Sequence, residues 1–212
     1  MQDIICHGVP SPLVWKKYIN FRSKLSGAEL EDIAFRNKEQ GWTNFSVVFK
    51  FKNHNNYREI FSRDIFMQGF LTNLCLRLSC YSCHSKSLER ESDITLADFW
   101  GIENMVPDMF DNKGASLVFV NTEKGKKIFN EICMKMHFKD VNIDEAVKYN
   151  ISAYQSCSMP KKRKKFMNEV LTRDFDKVIK KYTSKSILYR ILLKIKRILK
   201  CIIKGSVNNV QQ

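Results

Sequence analysis

Residues 80–101 read Cys-Tyr-Ser-Cys-His-Ser-Lys-Ser-Leu-Glu-Arg-Glu-Ser-Asp-Ile-Thr-Leu-Ala-Asp-Phe-Trp-Gly, and few local structures accommodate them. Cys80 and Cys83 stand one turn apart, so both sulfurs reach a single metal or cluster from one tight turn. A polar loop follows, and Ile94 to Phe99 then reads as a short strand ending at Asp98-Phe99-Trp100-Gly101. Zinc, iron–sulfur clusters, thiol–disulfide exchange and covalent haem all use the Cys-x-x-Cys spacing, so the pair alone leaves its chemistry open.

The other thiols narrow the choice. Cys6, Cys75, Cys133, Cys157 and Cys201 bring the count to seven, an odd number that argues against a pure disulfide framework. No basic flank and apolar run of signal-peptide type opens the chain, and no run of about 18 uncharged apolar residues exists. These features predict a cytoplasmic protein whose thiols are free, buried or metal-bound. Cys75, Cys133 and Cys201 fall on apolar helical faces and read as core or interface residues. Cys157 lies in a polar loop and receives no role.

Charge divides the chain. Residues 160–205 carry 16 Lys and Arg against Glu169, Asp174 and Asp176, whereas residues 1–159 are nearly neutral. The sequence therefore predicts a mixed α/β body over 1–159, a small sheet of short strands flanked by helices, followed by a basic amphipathic helical tail over 160–212. Asp3 to Cys6 reads as the end of a buried strand, with a helix from Pro12 to Leu25 capped by Ser11. A strand ending so near Met1 leads to the expectation of a truncated or split chain. Leu30–Phe35 reads as a strand. Phe45, Val47, Phe49 and Phe51 alternate with Ser46, Val48 and Lys50 as a half-buried strand should, with Tyr57–Phe61 returning as its partner. Helical spacing runs over Ile65–Leu76 and again over Glu123–Met136, where Ile128, Phe129, Ile132 and Met136 are expected inward. Residues 115–121 and 138–143 read as further strands, and from Arg163 the pattern is helical with one break near Thr183-Ser184.

Three segments together carry a family resemblance: Ile5-Cys6-His7-Gly8-Val9-Pro10-Ser11-Pro12, Cys80-Tyr81-Ser82-Cys83, and Asp93 to Gly101. With Asn112-Lys113-Gly114-Ala115-Ser116 and the following segment to Gly125, their order and spacing over about residues 2–135 resemble the C-terminal region of the coenzyme F420 hydrogenase/dehydrogenase beta-subunit family. The resemblance implies an iron–sulfur flavoprotein that moves electrons between a 4Fe-4S cluster, FAD and a soluble carrier or substrate. It implies cluster ligands at Cys6, Cys80 and Cys83. The family's fourth, in an upstream Gly-Thr-Pro-Cys motif, has no counterpart here, and neither has the family's N-terminal half. A redox partner or that missing half is thus the implied partner, and the flavin pocket is expected to be incomplete. Members of the family also occur beside polysaccharide-assembly enzymes, so the substrate stays open between a deazaflavin and a sugar-related one.

Other readings compete at each position. Cys6, Cys80, Cys83 and His7 or His84 could form a Cys₃His zinc site. Cys80 to His84 also spells the haem-attachment string, without the export signal that chemistry needs. Asp98, Trp100 and Gly101 end a strand where open sheets place ligands, and Lys113-Gly114 lies in a loop able to approach an anion, so these five are candidates for the flavin ring or pyrophosphate or for a structural turn. His7 is a candidate proton donor. In the tail, Leu188, Ile191, Leu192, Ile195, Leu199 and Ile202 make one stripe flanked by Lys and Arg over 184–205, suited to an anionic membrane surface at the inner face or to a partner's groove. Nucleic acid is not expected, since the basic residues lack interleaved aromatics. The competing class is a non-catalytic remnant that binds a partner or membrane.

Overall fold

The break in the second expected helix shapes everything downstream of it. The computed structural model describes residues 1–184. Strand β1 (Gln2–Ile4) precedes helix α1 (Pro12–Ser26), which has Pro12 in its first turn, where a missing N–H costs nothing, and Gly27 closing it in the left-handed region. The Ser11 hydroxyl makes no capping bond. Strands β2 (Leu30–Asn37), β3 (Ser46–Phe51) and β4 (Asn56–Ile60) form an antiparallel meander with β3 in the middle. The inward alternation of Phe45, Val47, Phe49 and Phe51 holds, but Ser46 and Val48 are buried as well. Val48 lies between Ala34 on one neighbour and Arg58 on the other, so flanking side chains screen the outer face that alternation leaves to solvent.

Helix α2 spans Ile65–Leu71, five residues short of the spacing-based expectation. Asp64 caps its start, accepting from Met67 N at 2.9 Å. At its end Asn73 turns left-handed at φ 61°, with Asn73 N donating to Phe70 O and Leu74 N to Gly69 O. That pair of bonds is a Schellman closure with Asn in the glycine position, and it turns the apolar run Leu74-Cys75-Leu76 out of the helix into a fully buried segment that ends at the Leu76 bridge.

The second sheet has β5 (Ile94–Asp98) at its centre, parallel to β1 and antiparallel to β6 (Ser116–Val120). β1 is an edge strand and not the expected buried one: Ile4 is 62% exposed. Helix α3 (Ile102–Met105) lies between β5 and β6, and α4 (Glu123–Cys133) and α5 (Ile143–Ala146) follow β6. Ile128, Ile132 and Met136 are exposed and not buried as expected: they fall on the face that carries Gly125, which packs the first turn of α4 against Asp93 and Ile94, but the later turns stay open to solvent on that face. A Cβ on Gly125 would overlap the Asp93 carbonyl oxygen. The strand expected over 138–143 does not form, since Asn142 accepts from Asp144 N and Glu145 N and starts α5 instead.

Helices α6 (Arg163–Thr172) and α7 (Phe175–Thr183), separated at Arg173-Asp174, pack onto α1 and α2. Phe166, Val170, Val178 and Ile179 join Val14, Tyr18, Phe49 and Phe66 in the larger core, so this part of the basic segment is integral to the body. A smaller core of Ala97, Phe99, Ile102, Val106, Leu117 and Ala146 lies under the second sheet. The basic helix expected over 184–205 lies outside the described residues. No described helix is long and apolar enough to cross a membrane.

Candidate functional site

The buried segment after the Schellman turn is what meets the Cys6 turn. Pro10 and Leu76 form an isolated antiparallel bridge, Ser11 N donates to Cys75 O at 2.7 Å and Arg77 N to Val9 O at 2.8 Å. These bonds lay the Cys6-His7-Gly8-Val9 turn along residues 75–77, directly before the 3₁₀ turn Leu78–Ser82 that carries Cys80 and ends at Cys83. Val9 N then donates to Cys80 Sγ at 3.2 Å. Gly8 is required by proximity, because a Cβ there would press on Leu76 at 3.0 Å. Cys80 is buried, Cys83 half-buried and Cys6 exposed. Among the described residues no three His, Cys, Asp or Glu side chains converge closely enough to hold one metal ion. The Cys₃His tetrahedron with His7 or His84 is therefore not assembled in this conformation.

A segment from the far end of the second sheet closes over the same turn. Cys157 Sγ donates to His7 O at 3.0 Å and lies 3.9 Å from His7 Nδ1. Ser156 Oγ accepts from Cys83 N at 3.0 Å and returns a bond to Cys83 O at 3.4 Å. Lys86 Nζ bridges the carbonyls of Cys6 and Ser152. Burial pushes the Cys157 thiol above its ordinary value, the neighbouring Cys80, Cys6 and Cys83 add to this, and the Lys86 charge opposes it. The Cys-x-x-Cys turn is pinned from below: Tyr81 OH donates to Asn73 O, and Arg163 at the start of α6 donates to Tyr81 OH at 2.8 Å and to Leu76 O at 2.7 Å. Cys75 is fully buried, its thiol pushed up to about 12 by desolvation, which fits the core role expected for it.

His7 is half-buried, with its ring edge-on to Phe70 and Nε2 lacking a partner. Burial lowers its pKa, outweighing the Asn73 side chain and the Phe70 carbonyl, which favour the cation. Burial thus favours the uncharged imidazole, whose Nδ1 lies 3.9 Å from the sulfur of Cys157.

Asp98, Trp100, Gly101, Lys113 and Gly114 gather at the edge where the two sheets meet. Arg36 Nη1 of β2 donates to both carboxylate oxygens of Asp98, at 2.9 and 2.8 Å. The Trp100 ring lies 5.0 Å from that of buried Trp42, tilted by 32°. Gly114 supports Trp42, whose ring a Cβ would meet at 3.0 Å, and Gly101 leaves room for the Tyr149 ring. Both glycines also have positive φ, so packing and backbone geometry account for them. What faces outward is the partly exposed Trp100 with the freely exposed Lys113 ammonium. Lys38 Nζ, tied to Lys113 O at 3.0 Å, adds a second cation over Trp42. Sequence reasoning did not single out Trp42, Arg36, Lys86 or Cys157. Their roles depend on pairings across 58 or more residues that no local pattern announces, although Cys157 was visible as a thiol without a place.

A family model for the C terminus of the beta subunit of coenzyme F420 hydrogenase/dehydrogenase matches residues 1–146. No curated protein and no solved structure matches the chain.

Proposed function

The chain belongs to the family of C-terminal regions of coenzyme F420 hydrogenase/dehydrogenase beta subunits, and from that redox context we propose that it passes electrons in an iron–sulfur and flavin-dependent oxidoreductase. The observation that carries this reading is the stitching of the Cys6 turn onto the Cys80–Cys83 turn, ending in the backbone bond from Val9 N to Cys80 Sγ. An amide donating to sulfur stabilises thiolate character, and such bonds tune the potential of a bound cluster. The donors fit a 4Fe-4S cluster in kind. They are thiols on tight turns with a lysine anchored at the Cys6 backbone, and a cubane holds its thiolates apart by the width of its own core, unlike a single ion. Cys6, Cys80 and Cys83 would hold the group, which supplies one-electron transfer when bound.

The residues' own contributions are positional. Leu76 and the Arg163–Tyr81 pair keep the Cys-x-x-Cys turn rigid, while Lys86 holds the Cys6 backbone against the 152–157 segment. The Trp100 face and the Lys113 cation fit a flavin ring and pyrophosphate in kind, with Asp98, Gly101 and Gly114 shaping that edge. The remainder of an FAD pocket would come from a partner protein or a further polypeptide segment. Coenzyme F420 and a sugar-related compound both remain chemically open as substrates.

Anaerobic reconstitution with ferrous and ferric iron and sulfide tests the cluster reading. Iron and acid-labile sulfide should be retained by the 212-residue chain and lost in Cys80→Ser and Cys83→Ser variants of unchanged circular dichroism. Equal retention in both variants would refute the assignment.

A further inference from the structure

We propose that Cys157 is the fourth thiolate of the site, completing a quartet with Cys6, Cys80 and Cys83. The inference rests on the cluster reading above and adds to it the ligand that the sequence did not supply. Its basis is that the sulfurs of Cys157 and Cys80 each hydrogen-bond the same four-residue turn, Cys6 to Val9. Cys157 Sγ reaches His7 O at 3.0 Å, and Val9 N reaches Cys80 Sγ at 3.2 Å. Cys6 begins that turn. Cys83 is tied to the residue preceding Cys157 by two bonds through the Ser156 hydroxyl. Lys86 clamps the Cys6 carbonyl to Ser152, holding the approach of the 152–157 segment.

The other described thiols have no such relation. Cys75 is sealed in the larger core, and Cys133 ends α4 with its sulfur turned to Asn130 O at 3.3 Å. Of the described cysteines outside the expected triad, Cys157 is the one whose neighbours on both strands of contact are the triad's own turns. It comes from a segment that also touches the aromatic edge, since Asn150 Nδ2 donates to Asp98 O at 3.2 Å. A quartet supplied wholly by this chain gives each iron of a cubane one protein thiolate. Ligation requires each thiol to release its proton to solvent as its iron–sulfur bond forms, with sulfide and equal amounts of ferrous and ferric iron supplied externally, so that the mixed-valence cubane forms without a further oxidant. The Cys157–His7 O hydrogen bond is then given up as the Cys157 side chain turns from its present partner toward the other three thiolates.

The test is differential alkylation of the 212-residue chain, without metal and after anaerobic loading with ferrous and ferric iron and sulfide, read by peptide mass spectrometry. Loading should protect Cys6, Cys80, Cys83 and Cys157 alike, while Cys133 is labelled in both forms. A Cys157→Ser variant, folded by circular dichroism, should lose iron to a chelator about tenfold faster than the wild type, with Cys133→Ser unchanged. Protection of Cys6, Cys80 and Cys83 with Cys157 labelled in both forms would overturn the quartet and leave the three-cysteine reading standing. Absence of protection at all four would overturn both.

Discussion

Replacing Asp64 with Ala removes a carboxylate that is 0% exposed and on which three elements converge. Its Oδ1 caps α2 through Met67 N, while Oδ2 accepts from Tyr18 OH, from Tyr57 OH at 3.0 Å and from Arg22 Nη2 at 3.4 Å. Loss of the cap costs about 1 kcal/mol. Each hydroxyl bond to a charged acceptor contributes roughly 1.5 kcal/mol or more. Arg22, only 11% exposed, keeps its stacking over the Tyr57 ring but is left as an uncompensated charge. These terms share one oxygen and do not add fully, so the expected loss is about 4 kcal/mol, a large part of the roughly 5–15 kcal/mol typical of a domain. Asp64→Asn keeps the cap and presents the guanidinium with an amide, and should lose about half as much. Urea unfolding followed by circular dichroism, with midpoints compared at unchanged slope, gives both values. Adding Arg22→Met should recover part of the Ala variant's loss. An Ala variant within about 1 kcal/mol of wild type would refute the reasoning that this carboxylate organises the larger core.

Alkali provides an independent probe of that core. The Cys75 thiol is pushed up to about 12 in the fold, so its contribution to stability is complete below the unfolded value and is lost as pH rises through the folded one. At pH 10 the unfolded chain gains about 1.4 kcal/mol from ionising it, and urea midpoints of wild type should fall more steeply between pH 8 and pH 10 than those of Cys75→Ala. At the sheet edge, Trp100→Ala should weaken FAD binding about three- to tenfold, the equivalent of one ring-stacking contact, and Trp100→Phe should retain most of it in a flavin-fluorescence titration. Identical titration curves for all three proteins would remove Trp100 from the flavin's surroundings. For the 184–205 segment, sedimentation with phosphatidylserine vesicles should be lost in a chain ending at Thr183 and weakened by salt in the full chain. Equal sedimentation of the two chains would rule out a membrane role for that segment.

Local patterning was enough to identify most elements. Alternation located β3, Pro12 located the start of α1, and the Asp98-Phe99-Trp100-Gly101 ending located the end of β5, because each depends on near neighbours in the chain. The family resemblance likewise rested on short strings whose order and spacing are properties of the sequence. Patterning failed where an element's fate depended on a distant partner. Ile65–Leu76 has helical spacing throughout, yet the left-handed Asn73 and the bridge from Pro10 to Leu76 divert its last residues into the core. Periodicity of α4 marks an apolar face but not how much of it is covered: Gly125 on that face fits closely against Asp93 O, while Ile128 and Ile132 on the same face stay exposed. The same distinction separates the candidate ligands. Cys80 and Cys83 are legible because their three-residue spacing is itself the signal, whereas Cys157 stands 150 positions from His7, its hydrogen-bond partner. A hydrogen bond across that separation exists only once both cores have formed and the 150–157 segment has folded back over the first turn of the chain.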